Sequence, residues 1–240
     1  MELMVVVAII AIMVGMISPV IKSVKSSVKQ SAAARAGGQL FMATSLYLAD
    51  NDDTYPLAMY TVEYGTWQTW FGKQVGETEF DSKQGLLGSY LGKTKIEDPT
   101  HKAEPYLGDD SGFGYNYGFI GSDLHVTNNY WSFPNCKNAA MSSQLSSPSN
   151  TVVFATSSFY NAPWYPNGDG ATYDFGFIDP PEYWYGNPNV DFRHFGNRKP
   201  SELEEVVESE GRAVIVFADG NVKPLTQDQL KQDMFTRNAQ

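Results

Sequence analysis

Nineteen consecutive residues, Leu3 to Ile21, carry no charged side chain, and only Gly15, Ser18 and Pro19 interrupt their apolar character. As a helix rising about 1.5 Å per residue the run would reach about 28 Å, close to the ~30 Å hydrocarbon core of a bilayer. A cleavable secretory signal has a shorter apolar region, a basic start and a small-residue cleavage site, and none of these is clear here. A helix buried inside a domain is the other reading, but so long an uncharged run fits a membrane span better. The chain therefore divides at the sequence level into a membrane-spanning segment (residues 1–21), an amphipathic continuation (22–53) and a head (54–240).

The helical pattern does not stop at the end of the apolar run. Ala36, Leu40, Ala43 and Tyr47 fall on one stripe, with Phe41 and Leu48 beside it, spaced by threes and fours. Pro19 should bend the helix, because proline lacks an N–H donor and collides with the carbonyl four residues earlier. Gly37-Gly38 marks a second weak point. Asp50-Asn51-Asp52-Asp53 followed by Tyr55-Pro56 should end it. Lys22, Lys25, Lys29 and Arg35 follow the apolar run, whereas no Lys or Arg precedes it. By the positive-inside rule, either the head is cytoplasmic or a basic leader precedes Met1.

Beyond Thr54 the chain is rich in Gly, Pro, Asn and aromatic residues. Phe113 to Ile120, Thr151 to Thr156, Val190 to Phe195 and Arg212 to Ala218 read as short strands. Asp219-Gly220 supplies the positive φ angles of a tight turn, which predicts a β-hairpin over Ala213 to Leu225. Between Arg198 and Gly211 lies an acidic insert in which Ser201 and Glu204 fit a capping box, predicting a short surface helix. The fold class expected is α+β: a long N-terminal helix, its first half membrane-spanning, packed on a small antiparallel β-sheet head with long loops. A formal net charge of −10 argues against nucleic acid as a partner. The single cysteine, Cys136, excludes an intramolecular disulfide and a cysteine-based zinc site.

The run Glu2-Leu3-Met4-Val5-Val6-Val7-Ala8-Ile9-Ile10-Ala11-Ile12 closely resembles the N-terminal segment of type IV pilins and type II secretion pseudopilins, and Pro19 falls where those proteins carry a helix-bending proline. The resemblance implies a pilin-like fold whose apolar helix spans the inner membrane and then forms the core of a filament. It also implies a prepilin peptidase that removes a basic leader and methylates the new N-terminus, with the head left in the periplasm or on the cell surface. The implied partners are copies of the same chain, other minor pilins or pseudopilins, an inner-membrane assembly platform and membrane lipid. Glu2 would pair with the N-terminal amine of a neighbouring subunit, so that neither charge is buried alone. Ala8, Ala11 and Gly15 would let adjacent helices approach closely. In the head, His194 followed by Phe217-Ala218-Asp219-Gly220-Asn221-Val222 is similar to the histidine and Asp-Gly signature of pseudopilin-like proteins from planctomycetes and verrucomicrobia. The usual interval there is about ten residues. Here 25 positions separate His194 from Asp219, which puts a direct structural role for His194 in doubt.

Site chemistry beyond assembly is sparse. His101, His125 and His194 lack a recognisable local nucleophile motif, so no enzyme is expected. Related major pseudopilins hold calcium in a head loop, and by that comparison Asn167, Asp169 and Asp174 form the nearest candidate site for Ca²⁺. The loop lacks the fifth-position oxygen and closing Glu of an EF-hand, and an ordinary Gly-rich turn explains it as well. Trp67, Trp70, Phe71, Trp131, Trp164, Tyr165, Tyr183, Trp184 and Tyr185 suit either a loop-rich core or stacking on sugars. The function expected is that of a structural, filament-forming subunit. The alternative is a membrane-anchored, non-polymerising module that recognises a glycan or an envelope protein through its aromatic loops.

Overall fold

The computed structural model describes residues 2–92, 96–100, 103–107, 111–129, 132–133, 135–164, 167–184, 189–196, 198–200 and 207–237. Helix α1 spans Glu2–Asp50, 49 residues, and runs through Pro19 and Gly37-Gly38 as one element. It ends where the Asp/Asn cluster was expected to stop it: Asn51 N–H and Asp53 N–H both donate to the Leu48 carbonyl, and Asp52 and Asp53 take left-handed conformations (φ 51° and 55°).

Among the described residues no helix is long and apolar enough to cross a membrane. The expected membrane-spanning first half is thereby corrected. The apolar run is the outer part of a single helix that takes in Ser18 and Pro19 and then passes without a break into Lys22, Lys25, Lys29 and Arg35.

The head is built on strands β1 (Met59–Glu63), β2 (Thr66–Thr69) and β3 (Lys73–Val75), the short helix α2 (Gly88–Leu91), and β4 (Phe113–Asn116), β5 (Val152–Thr156), β6 (Phe159–Tyr160), β7 (Thr172–Tyr173), β8 (Phe177–Ile178), β9 (Arg198–Pro200), β10 (Val207–Ser209), β11 (Ala213–Phe217) and β12 (Val222–Leu225). The central sheet has the order β12-β11-β5-β4-β8, with β1-β2-β3 as a separate sheet and β6-β7 and β9-β10 as two-stranded ribbons. The predicted hairpin is present, pairing Ala213 with Leu225 and Val216 with Val222. The expectation of an antiparallel sheet is corrected at one edge, where β4 and β8 run parallel. Parallel strands need a long crossover, and the excursion between Asn116 and Phe177 supplies it. Val190 to Phe195 makes isolated bridges, Ser157 with Val190 and His194 with Arg212, in place of the expected strand.

Alternation along β11 divides the core. Val214 and Val216 join the cluster under α1, which contains Ala33, Ala36, Leu40, Tyr115, Phe154 and Trp70, while Ala213, Ile215 and Phe217 join the opposite cluster of Phe192, Leu230 and Phe235. Every residue of β11 is buried because both faces of the sheet are covered. Two buried donors lock the larger cluster: Trp70 Nε1 donates to the Gly176 carbonyl at 2.7 Å and the Tyr115 hydroxyl to the Pro56 carbonyl at 3.0 Å. Burial pushes the Tyr55 hydroxyl up to about 12 and the Cys136 thiol up to about 11.

The glycine pair expected to weaken α1 is resolved by its surroundings. A Cβ on Gly37 would lie 2.7 Å from Val216 Cγ2, whereas one on Gly38 would meet nothing within 4 Å. Gly37 is therefore a point of close approach between helix and sheet, and Gly38 only forgoes helix propensity. Gly38→Ala should raise stability by about 0.5–1 kcal/mol, the usual helix-interior gain over glycine. Gly37→Ala should lower it by about 1–3 kcal/mol through overpacking. Urea denaturation of the two variants, read as a change in midpoint of opposite sign, checks both.

Candidate functional site

The N-terminal part of α1 presents an apolar surface with no cover from the head. Met4, Val6, Val7, Ile10, Ile12, Met13, Met16, Ile21, Val24 and Val28 are all about half exposed or more, Met4 reaching 78% and Met16 70%. At about 100° per residue the members from Met4 to Met16 surround the helix on all sides. Ile21, Val24 and Val28 narrow to one stripe, which Met42 and Leu46, also exposed, continue within about 60°. That stripe is distinct from the face of Ala33, Ala36, Leu40 and Ala43 that packs on the head. Glu2, Ala8, Ala11, Gly15 and Pro19 all lie on this part of α1, but their side chains fall outside the described residues.

The second concentration of chemistry lies in the head interior. Arg193, 6% exposed, has Nε 3.0 Å from Asp191 Oδ2, Nη1 3.8 Å from Asp98 Oδ2 and Nη2 3.8 Å from Asp174 Oδ1, and it donates a further bond to the Ser157 carbonyl. His194 is fully buried beside it, with Nε2 3.2 Å from Asp98 Oδ2 and Nδ1 3.5 Å from Thr100 Oγ1. Hydroxyl, imidazole and carboxylate are thus adjacent, but Asp98 accepts from both the backbone N–H and the hydroxyl of Thr100, so the hydroxyl is held within the cluster. Desolvation would raise the Asp98 pKa, yet the His194 hydrogen bond, the charges of Arg193 and His194, and the Thr100 hydroxyl outweigh it and hold the carboxyl at about 2. Desolvation likewise opposes the charge on Arg193, and the carboxylates of Asp191, Asp98 and Asp174 overcome it, raising the guanidinium pKa.

The long interval between His194 and Asp219 does not separate His194 from its strand. His194 and Arg212 exchange two backbone hydrogen bonds, N–H to O, at 3.0 and 2.7 Å. The insert leaves the head at Phe195, a left-handed residue (φ 64°), and its two stems touch where Gly196 and Gly211 pack backbone to backbone. Ribbon β9-β10 forms its stalk. The helix expected at Ser201 to Glu204 lies outside the described residues. Asp219 and Gly220 make the β11-β12 turn: Gly220 has φ 89°, Asp219 Oδ1 accepts from Asn221 N–H at 3.0 Å, and a Cβ at Gly220 would come within 2.5 Å of the Phe41 ring. The Asp-Gly turn therefore seats directly on α1.

The residues of the expected calcium loop have these partners in the head. Asp169 accepts from Asn161 Nδ2 at 3.1 Å, from Ala171 N–H at 2.9 Å and from the Tyr173 hydroxyl, which holds its pKa below the ordinary carboxylate value. Asn167 is left-handed (φ 66°), and its carbonyl accepts from Asn161. Asp174 turns inward to Arg193. Among the described residues no group of three or more His, Cys, Asp or Glu could hold a metal ion.

Of the aromatics, Trp70 and Phe71 are core, Trp67 packs against the core partly buried, and Trp164 and Tyr183 are exposed. Trp131, Tyr165 and Tyr185, and the side chain of Trp184, lie outside the described residues. His125 is buried, with Nε2 3.3 Å from Asp179 Oδ1 and 3.4 Å from the Tyr117 hydroxyl. Sequence reasoning missed Asp98 and the inward role of Asp174. The local signal that was available is the alternation of Asp191 and Arg193 with Val190, Phe192 and Phe195, which marks an internal ion pair.

Asp98 carries a pH signature. Its folded pKa lies below the ordinary 3.8, so its contribution is present above about pH 4 and is lost as pH falls towards 2. A shift of this size corresponds to about 2 kcal/mol. Asp98→Asn should cost about 3 kcal/mol at neutral pH by leaving Arg193 under-compensated, as breaking buried pairs does. Its deficit relative to the unmodified protein should shrink by about 2 kcal/mol between pH 4 and pH 2, as read by denaturant unfolding across that range.

Comparisons with protein-family models, with curated proteins and with solved structures give no match to this chain.

Proposed function

We propose that this chain is a structural subunit of a helical, type IV pilin-like filament, and that copies associate through the N-terminal part of α1. The observation that carries the reading is the apolar surface between Met4 and Val28, which the head leaves uncovered. A helix apolar on all sides belongs inside a larger assembly. Full burial of one such side chain contributes about 1.5–3 kcal/mol, so completing the burial of the ten half-exposed residues is worth on the order of 10 kcal/mol. Association costs about 4–15 kcal/mol in lost freedom. One neighbour touches only one side of a helix that is apolar all round, so full cover of this surface takes several neighbours.

The resemblance of Glu2 to Ile12 to pilin N-termini supports the same reading. It assigns Glu2 a partner in the next subunit, because a carboxylate inside an apolar bundle is destabilising unless paired. Ala8, Ala11 and Gly15 are the small residues that allow close helix approach. The role proposed is mechanical and architectural, with the head displayed outside a helical core.

Sedimentation velocity and negative-stain microscopy of the full chain test this. At micromolar concentration it should form multimers or fibres. Val7→Ser, Ile10→Ser and Met13→Ser combined should yield monomers whose heads unfold at the unchanged denaturant midpoint, and Glu2→Ala should weaken assembly without altering that midpoint. A full chain that remains monomeric, or multimers indifferent to the triple substitution, would overturn the assignment.

A further inference from the structure

The loop between β4 and β5 lines an open hollow on the surface of the head. It has a volume of about 640 Å³ and is lined by Asp123, Asn128, Asn129, Phe133, Asn135 and Lys137, among others. That volume is within the ~300–1,000 Å³ range of small-molecule sites.

The lining specifies the chemistry of an occupant. One carboxylate, Asp123, and one ammonium, Lys137, leave it with no net charge, which disfavours a phosphorylated or nucleotide ligand. With a single carboxylate it does not suit a divalent cation, which takes six or more oxygen ligands as calcium does. Among the described lining residues Leu124 and Phe133 are the apolar side chains, against four asparagines, a lining more polar than a lipid site. What dominates is carboxamide, a group that both donates and accepts hydrogen bonds as sugar hydroxyls do. The half-buried ring of Phe133 provides the apolar surface on which the C–H face of a pyranose rests.

The wall is held in place before any ligand arrives. Asn138 Nδ2 donates to Asp123 Oδ2 at 2.8 Å, fixing the carboxylate, and the Thr61 hydroxyl of β1 donates to Asn135 Oδ1 at 2.9 Å, orienting that amide. Asp123 N–H donates to the Lys137 carbonyl at 3.1 Å, closing the two ends of the loop on each other. Arg237 Nη2 donates to the Asn138 carbonyl at 2.7 Å, which ties the rim to the C-terminal segment. From below, His125 is wedged against Gly118 and Asp179, and Leu124 is buried in the core. Asn128 and Asn138 both hold left-handed backbone (φ 53° and 52°), which turns the loop around the hollow.

We infer that this cavity is a binding site for a neutral saccharide, with Asp123, Asn135 and the neighbouring asparagines reading hydroxyls and Phe133 supporting the ring. The site faces outward on the head and does not depend on assembly. Isothermal titration of the full chain with methyl glucoside, N-acetylglucosamine, cellobiose and chitobiose tests it. At least one probe should give a saturable isotherm. Asn135→Ala should weaken it about tenfold or more with the thermal unfolding midpoint unchanged; Phe133→Leu should weaken it as much while also lowering the midpoint, because the ring packs on Tyr117 and Phe177; and Trp164→Ala, on the exposed Pro163-Trp164 segment, should leave it intact. Absence of binding by all four sugars at millimolar concentration would overturn the inference. So would binding that follows Trp164 and ignores Asn135 and Phe133, or a sugar phosphate that binds more tightly than its neutral parent.

Discussion

The seating of α1 on the central sheet is the contact on which the other features depend. Gly37 lets the helix approach until Val216 would touch a β-carbon, and Gly220 does the same for Phe41 at the adjoining hairpin turn. These two close approaches come from opposite partners, one glycine in the helix and one in the turn, and together they set the angle and depth of docking. Leu40, fully buried, then completes the cluster with Val214, Val216 and Phe113. Because the helix is continuous from Glu2–Asp50, fixing residues 33 to 44 also fixes the direction in which the uncovered part leaves the head. The exposed apolar residues owe their presentation to this joint.

A buried ion cluster lies in the head interior around Arg193. The Arg193 guanidinium lies within 3.0–3.8 Å of the carboxylates of Asp191, Asp98 and Asp174, so each buried acidic group has an opposite partner close by. The carboxylates come from three separate parts of the chain: Asp98 from the loop before β4, Asp174 from the segment before β8, and Asp191 from the same run as Arg193. The cluster therefore draws together loops that make few ladder hydrogen bonds. His194 adds the link to Arg212 and so to β11, which explains how an inserted ribbon can be accommodated without separating the histidine from its strand.

Much of this fold was legible locally. Spacings of three and four gave α1 and its head-facing stripe, the Asp/Asn cluster gave its end, and Asp219-Gly220 gave the hairpin, because each rests on backbone preferences within a few residues. What was not legible depends on partners distant in sequence. The parallel pairing of β4 with β8 is set by a crossover of some sixty residues that carries no local mark. Val190 to Phe195 looked like a strand because its residues alternate, but its polar members face an internal ion cluster and find side-chain partners, so only single bridges form. The membrane span was inferred from an apolar run alone, whereas the helix as a whole includes the basic stretch that follows. The hollow lined by the β4–β5 loop left no signal beyond an abundance of asparagine, since its wall is tied to Thr61 and Arg237, both remote from the loop.

Charge also distinguishes the two ends of the molecule. Within α1, Lys22, Lys25, Lys29 and Arg35 outnumber Glu2 and Asp50, so the acidic excess that gives the chain a net charge of −10 lies entirely in the head. When helices bundle, neighbouring heads are brought together and repel, which limits how closely they pack. That repulsion is screened beyond about 8 Å at physiological ionic strength, so it acts on side chains at the contact and not on the assembly as a whole. Lys22 and Lys25 fall within the apolar stretch that ends at Val28, Lys29 follows it, and Arg35 lies on the part of α1 that docks on the head. In the filament proposed above, apolar burial would supply the cohesion, and this separation of charge would favour a staggered arrangement over one with all heads level.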